Sequence, residues 1–218
     1  MFFSKINLDK PYKITLLGDG STGKTSFFNR FTQIENDNYK FNKNYIATKD
    51  YNLKTMNFNT NYGVFNIHLW DTAGQEYSNN LRDAYLLNSD GVIALYDISN
   101  KRTLDNVPNW LLNVNRLCGK IPVAIVGNKL DKKYNLKISN HELVKMRDCK
   151  LKSIYSGKIQ NILLSVKSNE YLQEATRWSS EKILNDGIYK PIEYILSKIT
   201  NKNIKVNNKY YEDLLLKN

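Results

Sequence analysis

The chain has 218 residues, with 32 Lys and Arg against 21 Asp and Glu and a net charge of +11. Apolar residues at 41% and charged ones at 24% are ordinary for a soluble globular protein, and the length suits one domain with a sizeable core plus a tail. Two cysteines without paired spacing, Cys118 and Cys149, argue against a disulfide framework or a zinc site and suit a reducing compartment.

The basic balance favours acidic partners: nucleic acid, acidic protein surfaces or anionic membrane. The first residues are too short and polar for a signal peptide, and no glycine follows Met1 for myristoylation. No apolar run approaches membrane-spanning length and no cysteine closes the chain for prenylation, so no tie to a membrane is expected.

In chain order, residues 12–17 read as a short buried strand and 24–31 as a helix with one apolar side. Between them lies Gly18-Asp19-Gly20-Ser21-Thr22-Gly23-Lys24-Thr25, followed by Ser26, which fits the phosphate-loop pattern. A polar, Asn-rich stretch over 33–44 reads as a loop and ends in Tyr45-Ile46-Ala47-Thr48. Two extended segments, 51–60 and 64–70, flank a turn at Asn61-Tyr62-Gly63, and the second delivers Asp71-Thr72-Ala73-Gly74-Gln75-Glu76. A short helix over 81–87 precedes an apolar strand at 91–96. Residues 103–117 read as helical, with Pro108 bending or restarting the helix. The apolar strand 123–126 ends in Gly127-Asn128-Lys129-Leu130-Asp131. A basic stretch, 132–158, holds a helix around 141–147. The spacing places the last strand at 162–166 and the last core helix at 171–184.

Six strands alternating with helices predict an α/β domain with a mostly parallel six-stranded sheet and helices on both faces. The division is an N-terminal extension over 1–11, one domain over 12–187, and a C-terminal tail over 188–218. That tail carries helices at 191–199 and 210–216 and can dock or detach.

The motifs fall at strand C-terminal ends, where open α/β sheets bind ligands. The glycines let successive N–H groups of the loop point into one concavity, and the helix N-terminus adds its positive dipole end. Lys24 would reach β- and γ-phosphates, and the Thr25 hydroxyl would hold Mg²⁺. Asp71 suits the carboxylate that steadies Mg²⁺ through water, and Thr48 would complete that shell while a γ-phosphate is present. Gly74 can bring its N–H against the γ-phosphate, and Gln75 is placed to orient the attacking water. Asn128, Lys129 and Asp131 choose the base. The Asp131 carboxylate can accept from guanine N1–H and the 2-amino group, whereas adenine would leave it facing an acceptor.

This combination resembles the small Ras-type GTPases and, within them, the Ran type. The resemblance spans about 12–184. It is carried by the run from Asn61 through Trp70-Asp71-Thr72-Ala73-Gly74-Gln75-Glu76, by Leu81-Arg82-Asp83, by Asn106-Val107-Pro108-Asn109-Trp110 and by Lys167-Ser168-Asn169. It implies that Phe41 packs on guanine, that Ser165, Val166 and Lys167 form the last base-contacting loop, and that Tyr45 lies over the nucleotide. It further implies a Ras-like P-loop GTPase domain, GTP/GDP and Mg²⁺ as ligands, and slow hydrolysis of GTP. A GTPase-activating protein, an exchange factor and importin- or exportin-type transport receptors are the implied partners of a soluble monomer in nucleus and cytoplasm.

The sequence departs from the family at several points. Ser21 and Asp50 stand where the Ran type has glycine, Asn79-Asn80 replace a Gly pair, and Val166 replaces the usual alanine. The last residues, Glu212-Asp213 then Leu-Leu-Leu-Lys, replace an acidic tail, so recognition by domains that read that tail is not expected. No arginine lies between Phe31 and Gly74 to assist hydrolysis in cis. Two rival readings stay open: a Rab-like trafficking GTPase without a lipid anchor, and a non-enzymatic binding module, either a hydrolysis-impaired decoy locked in one nucleotide state or a basic protein holding RNA.

Overall fold

The computed structural model describes residues 10–33, 40–42, 44, 46–48, 50–73, 79–135, 138, 151–172, 183–184 and 187–206. The sequence expectations for Tyr45, Gly74 and Gln75 and for helices at 141–147 and 210–216 fall outside these residues.

A six-stranded sheet organises the chain, in the order β2-β3-β1-β4-β5-β6. Its strands are β1 (Tyr12–Leu17), β2 (Tyr51–Thr60), β3 (Gly63–Thr72), β4 (Gly91–Asp97), β5 (Val123–Asn128) and β6 (Ile159–Leu163). All neighbours run parallel except β2 and β3, which form an antiparallel hairpin at one edge. The central strands β4 and β5 are buried along their whole length, as their unbroken apolar runs require of strands covered on both faces. In β3, Phe65, Ile67 and Leu69 alternate inward, the period-2 pattern of a strand near an edge.

One face is covered by α1 (Lys24–Thr32), which turns Phe27, Phe28 and Phe31 onto the sheet. The other face is covered by two short helices, α3 (Lys101–Asp105) and α4 (Val107–Cys118), with α2 (Asn79–Leu86) beside them. Asn100 caps α3 by accepting from the Arg102 N–H at 3.2 Å. The expected effect of Pro108 is a restart: it occupies the first turn of α4, where its missing N–H costs nothing. From there Val107, Trp110, Leu111 and Val114 form one buried stripe at helical spacing.

Two expectations are corrected. The last strand is Ile159–Leu163, three residues earlier than 162–166, in register from Val123↔Ile159 to Gly127↔Leu163. As the edge strand it tolerates Gln160 and Asn161, whose polarity hid it, and residues 165–168 are released into a turn at the strand end. The segment 171–184 does not begin or end as a helix: Tyr171–Leu172 pairs antiparallel with Ile183–Leu184. Asn169, at φ 65°, turns the chain there, and its carbonyl accepts from the Gly187 N–H at 2.9 Å.

The helix that covers this part of the sheet is α5 (Lys190–Thr200), opened by Pro191. Of the docked and detached alternatives for the chain after 187, α5 takes the docked one. Ile192, Ile195 and Leu196 are fully buried against the sheet, and Ile195 lies close enough to Gly91 that a Cβ there would meet it at 2.3 Å. The chain then continues onto the β2–β3 hairpin. Ile204 is buried, Val206 bridges Thr60, and the nearly buried Glu193 accepts from the Val206 N–H at 2.8 Å. No helix among the described residues is long and apolar enough to cross a membrane.

Because Ile195 is sealed in the core, Ile195→Ala should cost about 2–5 kcal/mol of unfolding free energy. The denaturant midpoint at fixed ligand concentration measures this. A loss below about 1 kcal/mol would mean that α5 is only loosely attached.

Candidate functional site

The C-terminal ends of β1, β3, β4, β5 and β6 open on one edge of the sheet, and a cleft of about 580 Å³ lies there. Its walls include Ser21 and Gly23 from the loop after β1, Lys24, Thr25 and Ser26 from the first turn of α1, and Phe41 and Thr48 from the segment before β2. Opposite stand Asn128, Lys129 and Asp131 after β5, and Val166 and Lys167 after β6. Motifs scattered over more than a hundred positions of the sequence therefore face one space.

The loop over 18–25 is shaped by its glycines at two points. Gly18 has φ 136°, and a Cβ on it would lie 2.2 Å from the Leu95 carbonyl oxygen. Gly23 has φ 99°, and a Cβ there would lie 2.3 Å from Nδ2 of Asn128. Both positions reject any other residue by backbone conformation and by space. Ser21, where the resemblance would place glycine, still adopts the left-handed conformation at φ 61°, so the loop keeps its course there at some local strain. The Lys24 ammonium donates to the carbonyls of Gly18 and Asp19, both at 2.9 Å, and Thr22 Oγ1 donates to the Asp19 carbonyl at 2.9 Å. Gly18, Asp19, Gly20 and Thr22 thus build the loop without forming the cleft's walls.

Asn128 ties three segments together. Its Nδ2 donates to the Thr22 carbonyl at 2.9 Å, and its Oδ1 accepts from the Val166 N–H at 3.0 Å. The side chain is buried, and both of its polar ends are used. Asp131 lies beside it at the cleft, its Oδ1 accepting from Ser165 Oγ at 2.7 Å with Lys167 Nζ at 3.8 Å from Oδ2. Lys129 pairs with Asp97 at 2.7 Å. Burial works against the Asp97 charge, but Lys129 and the bonds from Ser99 outweigh it and hold the carboxyl below its ordinary range.

At the other end of the cleft Thr25 and Thr48 meet, hydroxyl to hydroxyl at 2.9 Å. Behind them Asp71 is fully buried; its Oδ2 accepts from Asn52 Nδ2 at 3.1 Å, while Oδ1 has no hydrogen-bond partner among the described residues. Burial raises the Asp71 carboxyl above its usual range, more than the nearby Thr25, Asn52, Lys24 and Thr48 groups lower it. A buried oxygen left unpaired beside two hydroxyls fits a hard cation that takes oxygen ligands and keeps part of its water shell. No cluster of three or more His, Cys, Asp or Glu suited to a metal exists among the described residues.

Several residues of this site carried no signal in the sequence. Arg30 on α1 donates to the carbonyls of Val166 and Lys167 at 2.8 and 2.9 Å and so fixes the loop after β6. Asn52 holds Asp71, and Asn42, Asn44 and Ile46 line the cleft. Asn106 and Trp110 were visible as part of a motif, but their contact was not: both donate to the Asp19 carboxylate.

The raised Asp71 carboxyl means that the folded chain holds this proton more tightly than the unfolded one. The stability this group contributes is complete below its unfolded pKa and falls as pH rises through the folded one. In chelator at neutral pH, Asp71→Asn should therefore be more stable than the parent by about 1–3 kcal/mol, and the gain should vanish as the pH is lowered toward the ordinary carboxylate range. Thermal midpoints across pH measure this; parallel profiles for the two proteins would contradict it.

Residues 13–185 match the Ras family, a stretch that begins at the second residue of β1 and takes in the rest of the sheet and every segment lining the cleft. It ends just before α5. Members of that family bind GTP and GDP, typically with Mg²⁺, generally hydrolyse GTP, and generally work with activating and exchange proteins. The chain belongs to the Ras family of small GTP-binding switches.

Proposed function

We propose that the chain is a GTP/GDP switch of the Ran type, acting in nucleocytoplasmic transport through importin- or exportin-type receptors. The observation that carries the nucleotide part is Asn128, which joins the phosphate loop to the loop after β6 beside the Asp131 carboxylate. The Ran-type part rests on the run Asn106-Val107-Pro108-Asn109-Trp110, and its support is that two residues of this run grip the phosphate loop.

In this reading Lys24 leaves its own loop's carbonyls for the β- and γ-phosphates. Asp131 accepts from guanine N1–H and the 2-amino group, Phe41 packs on the base, and Ser165 orients Asp131. Thr25 and Thr48 hold Mg²⁺ and Asp71 steadies it through water; when bound, the ion offsets the charge on the phosphate oxygens. Tyr45 lies over the nucleotide, and the Gly74 N–H meets the γ-phosphate. Gln75 orients a water that attacks the γ-phosphorus in line, and the bond to the β–γ bridging oxygen breaks to give GDP and phosphate. Losing the γ-phosphate releases Thr48 and Gly74, which changes the surface a receptor reads. Without a cis arginine, turnover waits for a partner whose contribution is worth ~10³–10⁵ in rate. The protein is a soluble monomer shared between nucleus and cytoplasm, and its basic surface suits the acidic interiors of receptors.

Gln75→Leu should bind GTP yet hydrolyse it barely at all in single turnover, and the GTP-loaded variant should capture transport receptors from an extract where the GDP-loaded parent does not. Parent-like hydrolysis would remove Gln75 from the mechanism. Capture of vesicle-trafficking effectors in place of receptors would overturn the transport assignment.

A further inference from the structure

We propose that Asn106 and Trp110 are positioning residues of the phosphate loop, holding the Asp19 carboxylate turned away from the phosphates of the nucleotide. The inference rests on the reading of the cleft as a guanine-nucleotide site and adds a requirement to it. Asp19 puts a negative charge inside a loop that has to accept a polyanion, between Gly18 and Gly20. Like charges at such range repel strongly when screening by water is poor.

The structure turns that charge toward the start of α4. Asn106 Nδ2 donates to Asp19 Oδ2 at 2.6 Å, and Trp110 Nε1 donates to Oδ1 at 3.0 Å. Asp19 is 7% exposed and Trp110 4%, so the Trp110 bond is shielded from water, while the Asn106 bond is partly so. Asp19 takes no part in the cleft wall, whereas Ser21, Gly23 and Lys24 on the same loop do. Its main chain is gripped from the other side, the carbonyl accepting from Thr22 and Lys24. The two donors are four residues apart at the start of α4 and share one helix face. The Asn106 side chain makes no capping bond to α4, and its Nδ2 donates to Asp19.

Losing one bond to a buried charge weakens what it holds about tenfold or more. The freed carboxylate would also oppose a triphosphate more than a diphosphate. The test uses the full chain loaded with N-methylanthraniloyl GDP, or with the same label on a non-hydrolysable GTP analogue, and chased with unlabelled nucleotide.

Trp110→Phe keeps an aromatic ring, though a smaller one, and removes the donor. It should speed dissociation about tenfold, more for the triphosphate than for the diphosphate. Adding Asp19→Asn should restore the rate toward the parent's, because the freed side chain is then neutral. A merely structural role would lower the thermal midpoint without the split between nucleotides and without that rescue. Asn106→Ala, at a half-buried position, reads the same quantity if Trp110→Phe does not fold. Rates within about twofold of the parent in both variants overturn the proposal, as does an acceleration equal for both nucleotides and unrelieved by Asp19→Asn. A parent chain that takes up neither labelled nucleotide overturns the guanine reading itself, which separates the two failures.

Discussion

The site depends first on one buried amide. Asn128 spends its donor on the carbonyl of Thr22 and its acceptor on the N–H of Val166, so the loops after β1, β5 and β6 cannot shift independently. In a buried amide with both ends bonded the hydrogen bonds offset the cost of desolvation, and losing either partner would leave a polar atom stranded. Gly23 is the complement of that arrangement, since a side chain there would occupy the space of the Asn128 amide. The phosphate loop and the base-facing loop are therefore one unit, and the sheet beneath supplies its rigidity.

Around this unit the chain uses charge in two opposite ways. Asp97 and Asp131 are carboxylates with partners at the cleft, the first held below its ordinary range once Lys129 and Ser99 outweigh burial. Asp71 is a carboxylate short of partners, with an unpaired oxygen and a raised pKa behind two hydroxyls. A fold that keeps such an oxygen buried spends stability on it. In the reading proposed above, this is the carboxylate that would steady a hard cation.

Much of this was legible in the sequence, and the reasons are local. β1 reads true because six apolar-rich residues stand directly before a glycine turn, and α4 because Pro108 marks its first turn. The loop from Gly18 to Thr25 is readable because its glycines answer to backbone conformation, which sequence states directly. β6 was misplaced because an edge strand needs no apolar run, and the pairing of Tyr171–Leu172 with Ile183–Leu184 is a nonlocal choice that helical periodicity in the segment concealed. The docking of α5 was undecided for the same reason: the amphipathic stripe of Ile192, Ile195 and Leu196 is plain, but what it covers lies about seventy or a hundred residues back, at β5 and β4. Arg30 and Asn52 gave no signal at all, because their work is done on backbone carbonyls and on a carboxylate that only the fold brings near.

The central claim is that this cleft selects a guanine nucleotide through Asp131 and holds it by the amides of the 18–25 loop. Chromatography of the nucleotide released from freshly purified, heat-denatured protein tests it most directly. The account predicts GDP or GTP in near-stoichiometric amount; an adenine nucleotide, or no nucleotide in protein that also fails to take up added GDP, would contradict it.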